Sequence, residues 1–147
     1  MRGKPSVISS IHESYNGILY NIDFTDNLLV LMGDSGEGKS FLWQFFDSLR
    51  AIEKYKYIST FNYKDMNVDL SSVILGSSKR LFVIDNADIL LNDDLREYIA
   101  LDYSNQYLLI GRNPRCLLLM NNNLAQLLFD KDKRSFEVCP LFSNVEV

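Results

Sequence analysis

Three observations predict an α/β fold, a three-layer α/β/α sandwich around a mainly parallel sheet. Short apolar runs alternate with helix-patterned stretches along most of the chain, which is the pattern of strands covered on both faces by helices. A glycine-rich segment, Gly33-Asp34-Ser35-Gly36-Glu37-Gly38-Lys39-Ser40, lies between the apolar run Leu28–Met32 and a helical run that begins at Phe41. Polar groups follow other apolar runs directly, Asp85 after Leu81–Ile84 and Arg112 after Tyr107–Gly111. In parallel sheets such positions share the carboxyl edge, where ligands sit. A chain of 147 residues suits a single domain spanning residues 1–147.

Along the chain, residues 1–13 read as a loose lead-in. In Tyr15–Phe24 the alternation of Ile18, Tyr20, Ile22 and Phe24 predicts a half-buried strand. Thr25-Asp26-Asn27 is turn chemistry, and the close spacing predicts antiparallel pairing of this strand with its successor, Leu28–Met32. The helix after the glycine segment is expected to bury Phe41, Leu42, Phe45, Phe46, Leu49 and Ile52. Tyr55–Tyr63 reads as a strand from its Tyr, Ile, Thr and Phe content, and Asp69–Leu75 as a short helix ended by Gly76. Leu81–Asp85 is a buried strand, and Asn92-Asp93-Asp94 caps a helix carrying Leu95, Tyr98 and Ile99. Tyr107–Gly111 is a further buried strand, closed by Pro114. Asn123 is expected to cap a helix with Leu124, Leu127 and Leu128, and Phe136–Cys139 is the fifth sheet strand.

The composition is that of an ordinary globule, 47% hydrophobic and 23% charged with a net charge of −4. Mild acidity argues against broad, direct nucleic-acid binding. Two cysteines, Cys116 and Cys139, and the single His12 make neither a zinc set nor a disulfide framework, which suits a reducing cytoplasm. No apolar run approaches a membrane span, and the basic start Met1–Pro5 lacks the apolar core of a signal peptide.

Gly33 to Ser40 fits the phosphate-binding pattern G-x-x-x-x-G-K-[ST] at every fixed position. Its glycines allow backbone amides to approach anionic oxygens, and the following helix directs its positive end at the same point. Lys39 would meet the β- and γ-phosphates, and the Ser40 hydroxyl would ligate Mg²⁺. The plain alternative is a Gly/Ser turn with a solvent-facing lysine. With Phe41 next in sequence, these residues form the expected nucleotide site.

Leu81-Phe82-Val83-Ile84-Asp85 resembles the acidic-strand (Walker B) motif of the P-loop NTPases, whose glycine loop (Walker A) the earlier segment matches. The spacing, with room for one strand between the two motifs, is similar to the additional-strand branch that includes the AAA-type and RecA-like ATPases. The resemblance implies a five-stranded sheet in the order 5-1-4-3-2, beside an N-terminal antiparallel strand. It implies ATP and Mg²⁺ as cofactors, with Lys39 acting on the phosphates and Asp85 holding Mg²⁺ opposite Ser40. It also implies action on a protein partner or within a homo-oligomer.

The chain departs from that branch where a glutamate normally follows the acidic-strand aspartate. Asn86 stands there, and an amide orients water without serving as an equivalent base. Asp88 is the alternative base; its plain reading is a helix-cap acid. Arg112 and Asn113 match in position a residue that senses the γ-phosphate, and Arg112 or Arg115 would stabilise transition-state charge in cis or across an interface. The ABC signature and the guanine-reading N-K-x-D pattern are both missing, and adenine is the base that the resemblance to the additional-strand branch implies. Three functions remain open: a small Mg-dependent ATPase that drives or switches a partner, a non-hydrolysing nucleotide-binding module, and a small-molecule kinase.

Overall fold

The computed structural model describes residues 5–31, 38–111 and 124–140. Its strands are β1 (Ser10–Tyr15), β2 (Ile18–Asp23), β3 (Leu28–Leu31), β4 (Ile58–Phe61), β5 (Leu81–Ile84), β6 (Gln106–Ile110), β7 (Leu124–Asp130) and β8 (Ser135–Pro140). Its helices are α1 (Lys39–Leu49), α2 (Leu70–Leu75), α3 (Ala87–Leu90) and α4 (Asp93–Leu101). The strands form one curled, eight-stranded mixed sheet in the order β1-β2-β8-β7-β3-β6-β5-β4.

This corrects the expected fold class. The sheet is not a five-stranded, mainly parallel P-loop sheet of order 5-1-4-3-2 inside a three-layer sandwich. Strands β3, β6, β5 and β4 do run parallel side by side. The neighbour of β3 on its other edge, however, is β7, where the spacing of Leu124, Leu127 and Leu128 predicts a helix. Leu124, Leu127 and Leu128 have helical spacing, but the segment alternates as a strand: Ala125 and Leu127 turn to the core while Gln126 and Leu128 are exposed. A hairpin decides the matter. The Asp130 carboxylate accepts the amides of Asp132 (3.0 Å) and Lys133 (3.2 Å), Arg134 takes a positive φ, and β8 returns antiparallel along β7.

The N-terminal strand pairs differently as well. Asn16 and Gly17, both at positive φ (53° and 76°), make the two-residue turn that right-handed strand twist favours. The supposed lead-in is therefore strand β1, antiparallel to β2. On its far edge β2 runs parallel to β8, not antiparallel to β3.

Two apolar clusters fill the two faces of the sheet. One joins Leu29 and Leu31 of β3 and Val83 of β5 to Leu42, Phe45, Phe46 and Leu49 of α1 and continues under β2 and β8 through Tyr20, Ile22, Phe136 and Val138. Tyr20 stacks on Phe45 at a centroid separation of 4.1 Å. The other joins Leu28, Val30, Phe82, Ile84, Tyr107 and Leu109 to Leu70 and Ile74 of α2 and to Leu95 and Ile99 of α4. Phe41 and Ile52, expected in the core, are exposed. Helix α4 starts where the pattern placed it, with the Asn92 side chain accepting the Leu95 amide at 2.8 Å.

Buried polar side chains pin the amino edge of the parallel strands. Asn27, 1% exposed, accepts the Ser6 amide and hydroxyl and donates to the carbonyls of Asp102 and Asn105. Gln106 pairs with residues 7 and 8 as a strand backbone would, accepting both amides and donating to the Ile8 carbonyl. Asp102 accepts from the Tyr107 hydroxyl (2.5 Å), the Ser104 amide and hydroxyl, and Asn105. Burial pushes the Asp102 carboxyl up, but these donors outweigh it and hold it below the ordinary carboxylate value. Burial, and then the carboxylate, push the Tyr107 hydroxyl well above its ordinary value.

A lowered folded-state value makes Asp102 stabilising above its unfolded value, ordinarily 3.8, and that stability is lost as pH falls through the lower folded value. Asp102→Asn is expected to cost about 1–2 kcal/mol in unfolding free energy at neutral pH. The gap from wild type should close in acid. Urea unfolding at neutral pH and at about pH 3 checks it; a gap independent of pH counts against the assignment.

Candidate functional site

The candidate site lies at the carboxyl edge of three neighbouring parallel strands. Leu31 pairs with Ile110, and Ile84 with Leu109, so β3, β6 and β5 end on the same edge. The Gly111 amide extends the ladder to the Leu31 carbonyl at 3.2 Å. Asp85 follows β5 one strand beyond β6, about 10 Å across the sheet from the end of β3.

Of the phosphate segment, Gly33, Asp34, Ser35, Gly36 and Glu37 lie outside the described residues, as do Arg112, Asn113 and Arg115. Gly38 is the N-cap of α1 at φ 92° and ψ 0°, a left-handed conformation that favours glycine. Lys39 and Ser40 are the first two helical residues. Lys39 is buried, at 9% exposure; Ser40 and Phe41 are exposed. Helix α1 buries its apolar face on the sheet, so its amino end is held at the carboxyl edge.

Gly38 has a second reason to be glycine, which the motif alone did not reveal. A Cβ on it would fall 2.7 and 2.9 Å from ring carbons of Phe136 and 3.4 Å from Leu127 Cδ2. The β7–β8 hairpin therefore closes directly over the start of α1. The sequence held no signal for this contact, because it depends on β7 being a strand.

At the acidic side, the Asp85 amide donates to the Phe61 carbonyl at 2.8 Å. One Asp85 carboxylate oxygen accepts the Asn86 amide, also at 2.8 Å. Asn86 sits at φ 54° and ψ 38° as the N-cap of α3. Asparagine tolerates this left-handed conformation better than glutamate does. That is a conformational reason for an amide where the resemblance expects an acid, and the Asp85–Asn86 pair preceding a short helical pattern was its signal.

Asp88 is in α3 and lies against the end of β6: a Cβ on Gly111 would be 3.1 Å from Asp88 Oδ1 and 3.4 Å from its Cγ. The structure thus places Asp88 beside the strand end that leads to Arg112, with Asp85 and Asn86 at the neighbouring one. Trp43, to which the motifs assign no role, donates from Nε1 to the Phe61 carbonyl at 2.8 Å.

Among the described residues no group of three or more His, Cys, Asp or Glu side chains is placed to hold a metal ion. A cation shared by phosphate oxygens, one hydroxyl and one carboxylate needs no such group. A cavity of about 550 Å³, lined by His12, Asn21, Asp23, Thr25, Glu137, Val138 and Cys139, lies elsewhere. Strands β2 and β8 run opposite to β3, so Asp23 and Cys139 lie toward the other edge of the sheet. Among the described residues no helix is long and apolar enough to cross a membrane.

No protein-family model matches the chain, and no curated protein matches it in sequence.

Gly38→Ala combines an unfavourable φ with overlap on a buried ring and is expected to destabilise the fold by about 1–3 kcal/mol. Adding Phe136→Leu should recover part of that loss, so that the double-variant cost falls short of the sum. Strict additivity in denaturant melts would show that the two residues do not meet.

Proposed function

We propose that the chain binds MgATP in the manner of the P-loop NTPases, with Gly33 to Ser40 cradling the phosphates and Asp85 facing the Mg²⁺ held by Ser40. One observation carries this: the residues that complete the phosphate motif begin a helix at the carboxyl edge of a parallel block, and Asp85 directly follows another strand of the block on that same edge. The support is local to the motif and this edge and asks nothing of the rest of the sheet. Lys39 supplies positive charge to the β- and γ-phosphates, and the backbone amides at the start of α1 supply the remainder. Phe41, exposed beside them, belongs to the same nucleotide site.

Hydrolysis in this reading falls to Asp88, which takes a proton from water attacking the γ-phosphate, with Asn86 orienting that water and Arg112 and Asn113 at the γ-phosphate. The energy released acts on a protein partner or on a second copy of the chain. Asn86 favours a second reading, a nucleotide-binding module that does not hydrolyse, because its left-handed turn suits an amide and disfavours the customary glutamate.

ATP binding and turnover by the wild type with Mg²⁺, beside Lys39→Ala of matched circular dichroism, test the proposal. Lys39→Ala is expected to weaken binding by about tenfold or more; wild-type affinity in that variant overturns the phosphate site. Asp88→Ala should abolish turnover and leave ATP affinity nearly unchanged. Wild-type binding without turnover selects the second reading.

A further inference from the structure

The Phe61 carbonyl closes β4 and accepts two hydrogen bonds at once, from Trp43 Nε1 on α1 and from the backbone amide of Asp85, each at 2.8 Å. Trp43 is three residues past Ser40, one helical turn along α1. A single oxygen therefore ties the helix that carries Ser40 to the residue that carries the acidic carboxylate. One turn further along, Asp47 accepts the Thr60 hydroxyl at 2.6 Å, so α1 is fastened to β4 at a second point farther from the site.

We propose that Trp43 is a positioning residue for Mg²⁺: through the Phe61 carbonyl it fixes the Ser40 hydroxyl and the Asp85 carboxylate relative to one another. This rests on the MgATP reading above. The physical reason is the cation's strictness. Mg²⁺ accepts ligands only near octahedral geometry at about 2.0–2.1 Å, so two ligating elements free to shift by a fraction of an ångström hold it poorly. Phosphate contacts to Lys39 and backbone amides are longer and more forgiving, so they depend less on this link. Removing the indole N–H should therefore loosen the metal and leave the metal-free nucleotide in place.

The test measures ATP affinity by calorimetry in Mg²⁺ and in EDTA for wild type, Trp43→Phe and Thr60→Val. Trp43→Phe is expected to weaken binding about fivefold in Mg²⁺, to raise the Mg²⁺ concentration needed for saturation, and to leave the EDTA affinity near wild type. Thr60→Val removes the distal fastening and should leave the Mg²⁺ dependence unchanged. Equal losses in Mg²⁺ and EDTA would assign Trp43 a purely structural role and overturn the proposal, as would an unchanged Mg²⁺ dependence, while nucleotide binding itself still stood. Wild type that binds no ATP in either condition would remove the MgATP reading and this one together. A second measurement needs no variant, since Trp43 is the only tryptophan. Its emission should respond when Mg²⁺ is added to the ATP complex, and a silent tryptophan counts against the link.

Discussion

Strand β3 is the element on which the rest of the sheet depends. All four of its residues, Leu28 to Leu31, are essentially inaccessible to water, alternating between the two apolar clusters. At about 1.5–3 kcal/mol for each fully buried side chain, these four match the net stability of a typical domain. One edge of β3 pairs with β6 over four register positions, and the other meets β7 over two. That second, short seam is also parallel; the sheet becomes mixed one strand farther on, where β8 returns antiparallel to β7. On one side lie parallel strands linked through helices; on the other lie strands linked by tight hairpins. The ends of β3 have different roles. The amino end is locked by a satisfied polar cluster around Asn27, and the carboxyl end leads into the glycine-rich segment.

The two sides of the candidate site are built by different means. Helix α1 is positioned by aromatic packing, with Phe45 and Phe46 wholly buried. Asp85 is positioned by backbone: its amide continues the β4–β5 ladder and its carboxylate closes onto the next residue. The Phe61 carbonyl is where these two kinds of order meet. At position 86 conformation and chemistry pull apart, because the turn wants a residue at home with positive φ and acid–base work wants a carboxylate. The nearby Asp88, set against Gly111, has no such conflict.

The parallel block was legible in the sequence because continuous apolar runs such as Leu81–Ile84 announce strands buried on both faces, and Asn92 and Gly76 punctuate the helices they flank. The mixed half was not legible. Leu124, Leu127 and Leu128 satisfy a helical period as well as they sit on a strand, and only the pairing with β8, distant from the strands it completes, settles which period applies. The Asn16-Gly17 turn was a readable signal, submerged inside a longer alternating run. Of the candidate site, the motifs made legible the sheet edge at which Lys39 and Asp85 sit. The contacts that explain Gly38, Asn86 and Trp43 come from Phe136, from a dihedral angle and from a carbonyl, none of which a linear pattern encodes.

The contact between Gly38 and Phe136 bears on how such a chain would diverge. A glycine retained to admit a phosphate and a glycine retained to admit an aromatic ring are under separate selection; Gly38 answers to the ring, and under the proposed MgATP reading it would answer to both. A descendant that lost its ligand would lose the pressure on its lysine and serine but not on this glycine. Decay of the motif would thus be uneven, and the state of Lys39 and Ser40, rather than the survival of the glycine, would record whether the ligand still matters.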